Sequence, residues 1–161
     1  MGLLGGVKSR YKKSEAAVVV QKLLEHQTHV GMFDLDPAMV ANRLVGNVWR
    51  TKPNIFDGKF GQRPHKITVA ASALAYGIEM FDDGDTNRIA LVLSLCRVLT
   101  EVETNGRLYP LNSLDNQLLE VSAEIFSEIS KKISESPLAQ EIDKFMDSSE
   151  SATWESWYKI F

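Results

Sequence analysis

Two places in this chain carry the same start signal. Asp36-Pro37 and Ser136-Pro137 each set a short oxygen-bearing side chain directly in front of a proline. The oxygen can accept from the free amides of a first helical turn. Proline suits the first helical position because that position has no N–H bond to lose and needs the φ that proline already holds. Start and stop signals of this kind recur along the chain, and period-two alternation of apolar and polar residues is scarce. A chain punctuated in this way buries helical faces against other helices. The reading is all-α: a single-domain bundle of about six helices plus a short C-terminal aromatic helix. At 161 residues, with 44% apolar and 24% charged, the chain is long enough for one core of ordinary size.

Ser14 is expected to cap the first helix, which runs through Val18, Leu23 and Leu24 and ends near Gly31. The second starts at Asp36-Pro37, turns Met39, Val40, Leu44, Val45 and Val48 inward, and ends near Trp49. The third runs from about Lys66 to Phe81, with Ala70, Ala73 and Gly77 as a small-residue ridge that admits a close neighbour. "DDGDTN" stops it and starts the fourth, near Asn87–Glu103, which is apolar on almost every side from Ile89 to Leu99. Helices three and four are therefore expected at the buried centre. Asn112 or Ser113 caps the fifth, with Leu114, Leu118, Val121, Ile125, Ile129 and Ile133 as its apolar stripe. Glu120, Glu124 and Glu128 form a ladder on another of its faces. The sixth starts at Ser136-Pro137 and carries Leu138, Ile142, Phe145 and Met146. The expected organisation is a basic, flexible N-terminal tail over 1–13, the helical domain over 14–147, and a linker with a short amphipathic helix over 148–161.

Cys96 is the single cysteine, so neither an intramolecular disulfide nor a cysteine-cluster metal site can form, and a reducing cytoplasm is the simplest setting. The N-terminal "MGLLGGVKSRYKK" has a very short apolar run whose cations follow it, unlike a secretory signal. The weakly charged stretches 67–78 and 89–96 are too short to span a bilayer as helices, so a soluble protein without a membrane span is expected. Charge is polarised: residues 1–80 carry eleven cations against six acids, and residues 81–161 carry seven against fifteen. Such polarity can orient a protein toward a charged partner or toward its own copies.

Motifs for nucleotide binding, serine hydrolysis and zinc peptidase chemistry are absent, and no cofactor is expected. "DDGDTN" resembles a calcium loop only in composition. Counting from Asp83, the sixth residue is Arg88 where glycine is needed, and the twelfth is Ser94 where a bidentate glutamate is needed. His26 and His29 sit at i, i+3 beside Glu25 and are the candidate ligands for a metal-dependent enzyme. The ordinary reading is two imidazoles at a helix C-terminus, where the backbone dipole is negative.

Two stretches remain as binding surfaces. Between Arg43 and Lys66 there are six cations and one acid, with aromatics interleaved. Trp49, Arg50, Lys52, Lys59, Phe60, Arg63 and Lys66 are the parts of a surface that holds phosphates and stacks on bases, which makes nucleic acid or a phosphate ligand the alternative partner. The other stretch is "TWESWYKIF". Trp154, Trp157, Tyr158 and Phe161 fall on one face of a helix too short to be stable alone, so it must dock. Burying each large ring contributes about 1.5–3 kcal/mol. The leading expectation is a non-catalytic protein–protein interaction module, an adaptor, regulator or assembly subunit. It engages a protein partner or a second copy through this aromatic helix.

Overall fold

The computed structural model describes residues 11–25, 36–52, 54–55, 57, 63–78, 85–105 and 111–135. Within them the chain forms five α-helices and no strand: α1 (Lys13–Glu25), α2 (Pro37–Thr51), α3 (Lys66–Gly77), α4 (Asp85–Asn105) and α5 (Ser113–Ser134). The sixth helix and the terminal aromatic helix expected from the sequence fall outside the described residues.

The starts of these helices follow local chemistry. Asp36 Oδ1 accepts from the amides of Ala38 at 3.1 Å and Met39 at 3.4 Å, and Pro37 takes the first helical position. Two orphan donors of α2 are thereby satisfied. Helix α1 begins at Lys13, two residues before the start that a Ser14 cap would give. Glu15 Oε1 reaches back to the Lys12 amide at 3.2 Å, and Lys12 O accepts the first helical bond from Ala16. For α5 the cap is Asn112. Its Oδ1 accepts from the Asp115 amide at 2.9 Å, and Asp115 Oδ2 accepts from the Asn112 amide at 3.1 Å. This is a reciprocal capping box with Asp in the place usually held by Glu or Gln.

Helix α3 packs against each of the other four. It is apolar or small nearly all round, and every residue from Ile67 to Ala75 is buried, as are Gly77 and Ile78. A helix with no polar face can only sit inside, and this one does. Gly77, one of the three residues of the expected small-residue ridge, admits a close neighbour: a Cβ added there would lie 2.5 Å from Leu44 Cγ. The neighbour is thus a buried side chain of α2. Helices α1 and α2 pair with one another, as do α4 and α5.

One expected core position lies elsewhere. Met39 is 50% exposed, although it was expected to face inward with Val40, Leu44, Val45 and Val48, all of which are fully buried. At about 100° per residue those four positions and Ala41 share one arc of roughly 140°, and Met39 falls outside it. Val18 is 49% exposed, and α1 buries Ala16, Ala17, Val19, Val20, Leu23 and Leu24. Most of the tail expected over 1–13 lies outside the described residues. Tyr11, near its end, is buried within the core.

Candidate functional site

Residues 63–65, which lead into α3, are held from both sides. The Tyr11 hydroxyl donates to Pro64 O at 2.8 Å. The Arg63 guanidinium lies 3.8 Å from the centre of the Tyr11 ring and pairs with Glu15 Oε2 at 2.8 Å. From the other side, Asp115 Oδ1 accepts from the His65 amide at 2.8 Å, and the Asn112 side-chain amide donates to Arg63 O at 3.2 Å. The starts of α1, α3 and α5 therefore meet at one node. Asp115 is fully buried, and its carboxylate serves two backbone amides from chain segments far apart in sequence.

Electrostatics at the node follow from burial and pairing. Burial pushes the Tyr11 phenol above its ordinary value. The Arg63 charge partly offsets this, while Glu15 and Asp115 add to the rise. The hydrogen bond from Arg63, followed by that from the Lys12 amide, holds the Glu15 carboxyl below the usual glutamate range. A firm segment at the start of α3 in turn fixes where the preceding connection meets the bundle.

Beside that connection lies an open cleft of about 460 Å³ between α5, α3 and the turn after α2. Its apolar wall is Ile55, Tyr76, Leu114, Leu118 and Val121, and its polar rim includes Thr51, Lys52, Asn54 and Gln117. The turn is closed by Ile55 N–H donating to Lys52 O at 3.3 Å and by Asp57 N–H donating to Asn54 O at 3.2 Å. Lys52 Nζ stands 5.3 Å from the centre of the Tyr76 ring, so one cation borders the apolar wall. Val121 is 36% exposed, and Leu118 and Ile125 are half-buried. The apolar stripe expected on α5 is thus only partly covered over this stretch. Glu120, Glu124 and Glu128 are exposed, as a solvated face requires.

The described cations of the 49–66 stretch do not gather in one place. Arg50 donates to the Asn47 side chain one turn back. Lys52 borders the α5 cleft, and Arg63 is engaged by Tyr11 and Glu15. Lys66 lines a 270 Å³ hollow with Ser14, Glu15, Val18 and Lys22, so the ion-pair partner of Arg63 also borders the hollow that Lys66 lines. Trp49 is half-buried and packs against the core. Lys59 and Phe60 lie outside the described residues, as do His26 and His29 and the aromatics Trp154, Trp157, Tyr158 and Phe161. Among the described residues, no three His, Cys, Asp or Glu side chains come together as metal ligands. Cys96 is half-buried, and burial raises its thiol pKa, an effect that the Thr100 hydroxyl and the Arg97 charge partly offset.

Sequence reasoning missed the node and the cleft. Tyr11, Asp115 and Tyr76 carry no motif, and the contacts of Tyr11 with Pro64 and of Asp115 with His65 join residues 53 and 50 positions apart. The nearest local signal was the Asn112–Asp115 spacing, which marks a cap. No known family, curated protein or solved structure matches the chain at a significant level. No helix among the described residues is long and apolar enough to cross a membrane.

Proposed function

We propose that this chain is a non-catalytic helical module for protein–protein contact, an adaptor, regulator or assembly subunit, and that it docks through its aromatic C-terminal helix. The observation that supports it best is the cleft beside α5. Apolar walls with a polar rim, Lys52 and Asp57 included, suit helix-in-groove recognition, in which a short amphipathic helix lays its apolar side chains into a groove. The sequence carries such a helix in Trp154, Trp157, Tyr158 and Phe161, and Trp and Tyr are the residue types that most often anchor interfaces.

The test compares proteins retained from native lysate by the full chain and by a Trp154→Ala/Trp157→Ala variant. A species held by the wild type and released by the variant supports the reading, and a wild type that retains nothing specific removes it. The nucleic-acid alternative has less support from geometry, because Arg63 is already engaged by Glu15 and Tyr11 and Lys52 stands beside the Tyr76 ring at an apolar cleft. It predicts salt-sensitive binding of single-stranded DNA or RNA, and absence of binding at low salt would end it. Metal analysis of untagged protein addresses the second alternative, a metal-dependent enzyme using His26 and His29.

A further inference from the structure

We infer that the α5 cleft is the receptor for this chain's own C-terminal segment, with Trp154, Trp157, Tyr158 and Phe161 seated on Ile55, Tyr76, Leu118 and Val121. The inference deepens the interaction reading by giving its docking helix a resting place, so that a partner must compete with an internal ligand.

Two observations favour this occupant. The first is reach. From Val121 to Ser134, α5 climbs about 20 Å. A helix over 136–147, as the sequence predicts, returns about 18 Å, and six extended residues over 148–153 span up to about 20 Å more. The chain therefore has length enough to bring residues 154–161 level with Leu114, Leu118 and Val121. The second is continuity. The partly covered residues Leu118, Val121 and Ile125 run from the cleft along α5 toward the point where the chain continues, so a returning segment meets apolar side chains beyond the cleft itself. The tether holds the segment at an effective concentration of about millimolar, well above that of any free partner in ordinary solution.

The experiment places the photo-reactive amino acid benzoylphenylalanine at Val121 of the full-length chain, an exposed site that tolerates it, and irradiates the purified protein. Gln117, which also lines the cleft and is exposed, serves as a second position if the first destabilises the fold. Mass spectrometry of the digested adduct then identifies what lay opposite. The expected result is an adduct within one chain, joining the probe to residues 154–161. Its yield should not change on about a hundredfold dilution, as the tether requires. The Trp154→Ala/Trp157→Ala variant should lose most of that yield, at least fivefold. An adduct of doubled mass that fades on dilution would assign the cleft to a second copy and overturn the inference. So would adducts that omit 154–161, or a yield indifferent to the two tryptophans. No partner enters this experiment, so its failure leaves the lysate comparison standing, and failure of the lysate comparison leaves this one standing.

Discussion

Replacing Asp115 tests the node where three helices start. In the wild type its carboxylate accepts from the His65 amide at 2.8 Å and from the Asn112 amide at 3.1 Å, and the residue is fully buried. Asp115→Ala removes both acceptors and leaves both amides to find others in a space closed to water. A hydrogen bond to a charged partner contributes about 1.5–3 kcal/mol net, so the loss of two should cost about 3–5 kcal/mol. Asp115→Asn keeps one carbonyl oxygen for the His65 amide but sets an NH2 group against the Asn112 amide. It should cost about half as much. For a chain of this length each kcal/mol lowers the melting midpoint by about 2–4 °C, so the alanine variant should melt about 10 °C lower. Urea unfolding followed by far-UV circular dichroism measures the difference, with an unchanged m-value showing that only stability moved. An alanine variant within about 0.5 kcal/mol of wild type, the range of an ordinary surface change, would refute the bridging role. A loss for asparagine equal to that for alanine would refute the assignment of one amide to each oxygen.

Gly77→Ala should destabilise despite alanine's better helix propensity. Overpacking against Leu44 costs about 1–3 kcal/mol and outweighs a gain of about 1 kcal/mol; a double variant with Leu44→Ala should lose less than the sum of the singles, and strict additivity would count against the close approach. The Arg63–Glu15 pair gives a small acid-sensitive term. Because Glu15's folded pKa is depressed, its contribution is present above the unfolded value of about 4.3 and is lost as pH falls through the folded pKa. With the Glu15 side chain 44% exposed, the term should be under about 1 kcal/mol. The gap between wild type and Glu15→Gln should therefore close by pH ~3, and a gap that persists there would assign the effect to packing. Ser72 Oγ and Thr68 Oγ1 are buried without a hydrogen-bond partner, so Ser72→Ala should be neutral or stabilising by up to about 1 kcal/mol, and a clear loss in calorimetry would reveal a bond that Ser72 makes.

What could be read from the sequence was what short range controls. Asp36-Pro37 starts α2 because the cap and its amides are two and three residues apart. The run from Ile67 to Ala75 in α3 announced its own burial, since it carries no charge and its only polar side chains are the hydroxyls of Thr68 and Ser72. Met39 was misplaced because a list of apolar residues near a helix start does not distinguish the arc that faces the core from the next one. Arg63 read as a free cation because its partners, Tyr11 and Glu15, belong to another helix and its approach. The cleft was illegible for the same reason, since its walls come from α3, α5 and the turn after α2, which meet only when the chain is folded.

The central place of α3 also bears on how the chain is made. Residues 66–77 leave the ribosome with α1 and α2 already available to pack on one side, but α5 is complete only at Ser134. Until then a strongly apolar segment has part of its surface open to water and to other chains. Newly made protein at this stage is the form most exposed to aggregation and most suited to capture by chaperones. Once α5 arrives, α3 has no route to solvent that does not displace another helix. Its amides should then exchange only through global unfolding, and a single cut in the backbone between α3 and α5 should leave neither half able to fold alone.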